Sequence, residues 1–367
     1  AVGATGNDSN GISSGAAYTY RFDGEFWQAE QRLTPTAVAP DDFFGSAVAV
    51  DGDLIVVGAS RDDEAAVDAG TATVFRFNAA TGTWDNEATL MADDAAVESS
   101  FGSAVAVDGD VIAVAASLDD FGDPIAAGAV YIYNYDLGTT SWSQVQKIIP
   151  TSFSRRSFGV SISLDGDVLV IGDSGMSNNG AGVPGLGLID IFRFDGTQAL
   201  GFQWVKTDIF IASDPAPGDF FGGSVSVNGD LIAVGAGKNQ GAGSAEVIRY
   251  NAGTMTWDFE QRLVASDTSQ GDLFGGSVSM GTDVLVVGAP FATQNGAQSG
   301  SVYVFRYDGT QAPGMRWSED RIITASDSAA VNDFGASVAI SGEVTAVGVS
   351  LDNPRGDLSG SAYAIGL

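Results

Sequence analysis

The chain repeats one unit from end to end: a Phe-Gly pair, a short apolar strand, a tight acidic turn, and a second apolar strand closing near Gly-Ala. The pairs are Phe44-Gly45, Phe101-Gly102, Phe158-Gly159, Phe221-Gly222, Phe274-Gly275 and Phe334-Gly335, spaced 53 to 63 residues apart. A unit of this length cannot bury its own apolar face, so its copies must stack on one another.

The copy at 44–90 shows the plan. Strands are expected at 44–50, 54–58, 71–77 and 84–90. The first two are joined by Asp51-Gly52-Asp53, residues that tolerate the left-handed backbone of a tight hairpin. The turn returns at 108–110 and 165–167 and as Asn228-Gly229-Asp230, then drifts to Gly281-Thr282-Asp283 and Ser341-Gly342-Glu343. The run Leu-Ile-Val-Val-Gly at 54–58 suits a strand covered on both faces, and the more polar fourth strand suits an edge. Four antiparallel strands per unit, joined by short loops, describe a propeller blade.

The fourth strand carries all six tryptophans: Trp27, Trp84, Trp142, Trp204, Trp257 and Trp317. Six positions later stand Leu33, Leu90, Ile148, Phe210, Leu263 and Ile323. An even spacing predicts that each pair shares one face of its strand. One Trp at the same place in each unit that carries a fourth strand reads as packing between blades rather than a platform for sugar rings.

The two ends are incomplete in complementary ways. The first unit opens at Ala1-Val2-Gly3-Ala4, which matches the end of a second strand, and continues through strands at 17–22 and 27–33. The last has strands from 334, from 344 and at 361–365, and no tryptophan. The expected fold is all-β: one seven-bladed β-propeller domain over 1–367 with four antiparallel strands per blade, its first and last blades incomplete. The units run 1–43, 44–100, 101–157, 158–220, 221–273, 274–333 and 334–367. The missing strands predict a further segment of roughly 25–35 residues before Ala1.

Composition narrows the function. No cysteine and no histidine are present, which removes disulfides, thiolate metal sites and the commonest general base. There are 46 acidic against 16 basic residues, a net charge of −30, and this repels nucleic acid and anionic membranes. No stretch of about 18 apolar residues is present to span a membrane. Neither a Gly-x-Ser-x-Gly elbow nor a phosphate-cradling loop appears.

These motifs resemble the FG-GAP repeat, the unit of the seven-bladed head of integrin alpha subunits and of secreted bacterial proteins. The matching stretches run from Phe44-Gly45 to Gly58-Ala59, from Phe221-Gly222 to Gly235-Ala236, and from Phe274-Gly275 to Gly288-Ala289-Pro290. Weaker copies read Ala115-Ala116, Gly172-Asp173 and Gly348-Val349. The resemblance implies extracellular adhesion or ligand binding, with calcium held by acidic blade loops.

The loops between second and third strands supply the metal candidates: Asp62, Asp63 and Asp68; Asp119, Asp120 and Asp123; and Asp352 with Asp357. Calcium takes six to eight oxygens, some of them carboxylate. The loops at 237–243 and 291–300 contain no acid. Acids just before the Phe-Gly pairs (Asp41-Asp42, Asp214 with Asp219, Asp267 with Asp272, Asp327 with Asp333) are expected to cap turns. Arg355-Gly356-Asp357 is a candidate adhesion tripeptide in a Gly- and Asp-rich chain, where chance matches come easily. The third complete unit is irregular, with Gly172-Asp173 in place of Gly-Ala and a long, nearly uncharged loop at 174–187.

The expectation is a non-enzymatic, monomeric binding or adhesion propeller, secreted or at the cell surface and part of a larger adhesin. Its ligand is a protein or glycan held on the face loops, with calcium as the ion. The alternatives are a carbohydrate-active enzyme, or its accessory domain, using paired acids, and a self-associating structural surface protein.

Overall fold

The computed structural model describes residues 1–119, 127–151, 157–175, 186–237, 241–267, 269–293, 298–326, 332–352 and 360–367. Among them the fold is all-β, a seven-bladed propeller of seven antiparallel sheets. The first sheet has three strands, β1 (Val2–Ala4), β2 (Ala16–Phe22) and β3 (Trp27–Leu33). Four strands make the next, β4 (Phe44–Asp51), β5 (Leu54–Ala59), β6 (Thr71–Asn78) and β7 (Thr83–Leu90). The third sheet is β8 (Phe101–Asp108), β9 (Val111–Ala116), β10 (Ala129–Asp136) and β11 (Ser141–Ile148). The fourth is β12 (Phe158–Asp165), β13 (Val168–Asp173), β14 (Leu188–Phe194) and β15 (Trp204–Phe210).

Then come β16 (Phe221–Asn228), β17 (Leu231–Ala236), β18 (Ser244–Asn251) and β19 (Thr256–Leu263). They are followed by β20 (Ser277–Met280), β21 (Val284–Ala289), β22 (Ser301–Tyr307) and β23 (Trp317–Ile323). The last sheet again has three strands, β24 (Ser337–Ser341), β25 (Val344–Val349) and β26 (Ser361–Gly366). In the last two sheets the first strand begins three residues after its phenylalanine, and Phe274 and Phe334 make isolated bridges to Gly243 and Gly300, as Phe44 and Phe221 do to Gly15 and Gly187.

Two compact units divide the chain: Ala1–Leu164 with Phe194–Val205, and Asp165–Arg193 with Lys206–Leu367. In the first unit, Ile55 and Val57 pack with Leu33, Phe44, Phe75 and Trp84, while Leu54 and Val56 pack with Leu90, Phe101, Val114 and Tyr131. Alternate side chains of β5 therefore feed two cores, which is why its sequence is continuously apolar. In the second unit, β17 does the same: Ile232 and Val234 join Phe221 and Trp257, and Leu231 and Ala233 join Phe274 and Tyr303.

The tryptophan pattern requires a correction. Trp84 and Leu90 lie six apart, yet they pack into different cores. The β6–β7 ladder shifts register between Val74 and Phe75, so Trp84 faces Phe77 and Leu90 faces Ala72. One bulged residue reverses the alternation of side chains. The same shift occurs in the β2–β3, β10–β11, β18–β19 and β22–β23 ladders. In the ladders of Trp84, Trp257 and Trp317 the bulge gives the Trp to one core and the later apolar residue, Leu90, Leu263 or Ile323, to the next.

Trp84 is locked to the preceding blade. Its indole N–H donates to Glu30 (3.0 Å), and the Gln31 amide clasps its backbone with two 2.8 Å bonds, one donated by Gln31 and one accepted. Gln146 clasps Trp204 (3.0 and 2.9 Å) and Gln261 clasps Trp317 (2.7 and 2.9 Å) in the same way. Arg76 stacks on Tyr135 and Arg249 on Tyr307, rings that themselves pack on Trp142 and Trp317. Gln261→Ala removes both bonds of one clasp and is expected to cost about 1–3 kcal/mol. Urea unfolding reads the loss; an unchanged midpoint would mean the clasp contributes nothing.

Candidate functional site

The acidic candidates sit where β5, β9 and β25 hand over to their loops. Asp62 is buried, and its Oδ1 accepts the Glu64 N–H at 2.8 Å. Asp63 Oδ1 accepts the Asp68 N–H at 2.7 Å, while Asp68 itself takes a left-handed φ of 50°. These carboxylates thus brace their own loop. Asp352 accepts from the Ser361 hydroxyl (2.5 Å) and the Asn332 amide (3.4 Å). Asp119 is buried within 2.9 Å of the Lys147 ammonium. Asp120, Asp123, Arg355, Gly356 and Asp357 lie outside the described residues. Among the described residues, no three acidic side chains gather into a cluster able to hold a metal ion.

One acid before each of three Phe-Gly pairs caps a turn, while Asp267 accepts from the Tyr303 hydroxyl at 2.8 Å. Asp42, Asp219 and Asp272 each accept the backbone N–H three residues earlier, from Ala39, Ala216 and Ser269, at 2.6–2.7 Å. Asp333 instead accepts from the Ser350 hydroxyl at 3.4 Å, and Asp327 lies outside the described residues.

Asp42 has a second property. Burial pushes its carboxyl up to about 6, and the charges of Asp62, Asp63 and Asp41 push the same way against the Ala39 hydrogen bond. The folded chain therefore keeps this proton between about pH 4 and about pH 6, where the unfolded chain releases it. The Asp42 contribution to stability is present at low pH and falls as pH rises through that window. Asp42→Asn keeps an acceptor for Ala39 and should flatten that part of the pH profile of the melting temperature. A profile unchanged by the substitution would show that Asp42 titrates normally.

The structure also joins acids to bases that the sequence leaves unpaired. Lys206 Nζ lies 2.8 Å from the buried Asp190, one strand over. Glu246 accepts the Ser213 N–H (2.9 Å) and hydroxyl (2.6 Å). Burial raises its carboxyl above the ordinary value, against the Ser213 bonds and the Arg262 charge. The third-strand arginines Arg76, Arg193 and Arg249 hold the turn acids Asp53, Asp167 and Asp230. Lysines and arginines one strand from an acid are visible in the sequence, but choosing the partner requires the register.

Two open, polar depressions lie among the described residues. One of about 210 Å3 lies among the turns at Asn228, Thr282, Asp283, Ser341 and Glu343. Another, of about 440 Å3, runs beside Arg76, Asn78, Asp85 and Glu87. Five tryptophans are packed between strands, and of the six only Trp27, 45% exposed beside Phe22, offers an open indole.

Comparison with known proteins agrees with this architecture. A search of curated proteins gives no match. Among solved structures, a putative 6-phosphogluconolactonase from Bacteroides fragilis superposes with a TM-score of 0.60 at 15% identity, over 100% of this chain and 94% of that one. Sqt1 of Saccharomyces cerevisiae aligns with a TM-score of 0.49 at 10% identity, over 91% of this chain and 75% of that one. At these identities the first likeness concerns the fold alone. Residues 27–75, 84–133, 204–248, 257–305 and 317–365 each match the FG-GAP repeat, every match starting at a fourth-strand tryptophan and ending in the next third strand. With most of its length covered by five such repeats, the chain belongs to the FG-GAP repeat family.

Proposed function

We propose that this chain is a non-enzymatic extracellular or cell-surface propeller that binds a protein or glycan through its loops and serves in adhesion. The observation that carries the reading is a contrast within the repeat. The strands return blade after blade with the same bulge and the same buried phenylalanine. The loops between second and third strands differ in length and charge: 60–70 carries four Asp or Glu residues, and 237–243 carries none. A constant scaffold with variable loops is the usual arrangement of a recognition protein. FG-GAP membership supports the extracellular setting. The open depressions favour a broad ligand over an enclosed small substrate. The buried acids Asp190 and Glu246 are held by Lys206 and Ser213, which supports a structural use for them.

The test is a screen of the immobilised chain against extracellular-matrix proteins and glycans, with chromogenic aryl glycosides assayed in parallel. Saturable, reversible binding to at least one array member without glycoside turnover is expected. Turnover of a glycoside without array binding would replace the proposal with the enzyme alternative.

A further inference from the structure

The loop after β9 contains one of the acidic sets that a divalent cation would be expected to hold, and the structure places a different cation against its first acid, Asp119. Lys147, on β11, stands directly opposite Tyr131 of β10. Its ammonium lies 2.9 Å from Asp119 and 2.7 Å from Asp94, and 4.9 Å from the centre of the Tyr131 ring. The Tyr131 hydroxyl is within hydrogen-bond distance of both acids, 2.6 Å from Asp119 and 2.9 Å from Asp94. Asp119 opens the loop after β9, and Asp94 follows β7 of the preceding blade. One ammonium thus joins two blades and one loop.

The electrostatics agree with the distances. Burial pushes the Asp94 carboxyl up, but the bonds from Lys147 and Tyr131 and the Lys147 charge outweigh it and hold it below its ordinary value. The Asp119 side chain is 3% exposed, and a carboxylate so buried requires a counter-charge. A calcium ion needs six to eight oxygens around it, and an ammonium against the same carboxylate both fills that space and repels the ion.

A base stands at the same ladder position in other blades. Arg32 stands opposite Tyr18 and donates to Asn7 at 3.1 Å, and Arg262 stands opposite Glu246. Thr89 takes this place in the blade of Asp62, opposite Thr73, so that blade has no such base there.

We infer that Lys147 is the built-in counter-cation of Asp119 and Asp94, where β9 hands over to its loop, and that this junction stands without a divalent metal. The inference concerns the scaffold and does not depend on the proposed ligand, so failure of the binding screen leaves it untouched.

Hydrogen exchange of the full chain, read by mass spectrometry over β9 and β10, tests it. Exchange there should be the same in millimolar calcium and in chelator. Lys147→Met should speed it roughly tenfold or more, because Asp119 is left buried and uncompensated. Adding Asp119→Asn to Lys147→Met should recover most of the protection, and Lys147→Arg should retain it. Faster exchange of the unmodified chain in chelator would overturn the inference. Unchanged exchange in Lys147→Met would do so too, as would a double variant no better protected than the single one.

Discussion

Phe274→Ala is expected to cost about 3–5 kcal/mol, among the largest losses any single substitution in this chain can cause. Phe274 is fully buried, with Tyr303 and Phe305 meeting its ring edge-on at 5.2 and 6.0 Å. Its cluster takes Leu231, Val247 and Leu263 from one blade and Leu285, Val287 and Trp317 from the next. Removing the ring therefore opens a cavity between blades, where neither sheet can close in without moving the other. Urea unfolding of the variant should show a large fall in midpoint, and Phe274→Leu, which keeps most of the volume, a much smaller one. A small loss for Phe274→Ala would mean that the Phe-Gly signature is not an anchor.

Gly58→Ala is the second. A Cβ at Gly58 would stand 2.0 Å from the carbonyl oxygen of Gly102, and backbone cannot swing aside as a side chain can. The glycine of one Gly-Ala pair thus meets the glycine of the next Phe-Gly pair, as Gly235 meets Gly275 and Gly288 meets Gly335. We expect a loss of about 3 kcal/mol, the upper end for overpacking. Gly52→Ala is the control: its φ of +54° is left-handed but nothing lies within 4 Å, so the cost should be only about 1–2 kcal/mol. Equal losses at the two positions would refute the close-approach explanation. The third unit already carries Ala115 where the others have glycine, and a Cβ built on Gly159 of the next Phe-Gly pair would stand 3.1 Å from the Ala115 Cβ.

Much of this architecture was readable from residue order because burial and spacing carry it together. The phenylalanines mark one buried position per blade, and the tryptophans mark the fourth strand. Counting them yields seven blades and the two three-stranded ends. The face shared by Trp84 and Leu90 was misread, because a bulge leaves no mark in a spacing of six. The turn-capping acids were visible because the cap and its donor lie three residues apart. The Gln31 clasp on Trp84 and the Lys147 bridge to Asp94 were not, because those partners lie 53 residues apart in sequence. The same limit applies to the candidate metal loops: Asp119 is conspicuous as an acid, and the lysine beside it appears only once β10 and β11 are in register.

The binding claim is tested most directly by exchanging loops and leaving the blades alone. Residues 60–70 replaced by the shorter 237–243 segment, and each other second-to-third-strand loop exchanged in turn, should leave the melting temperature within a few degrees of the parent. At least one exchange should weaken binding to the array ligand about tenfold or more, since a few residues dominate most interfaces. A complete set of folded loop variants that all bind as the parent does would contradict the claim that the loops carry recognition.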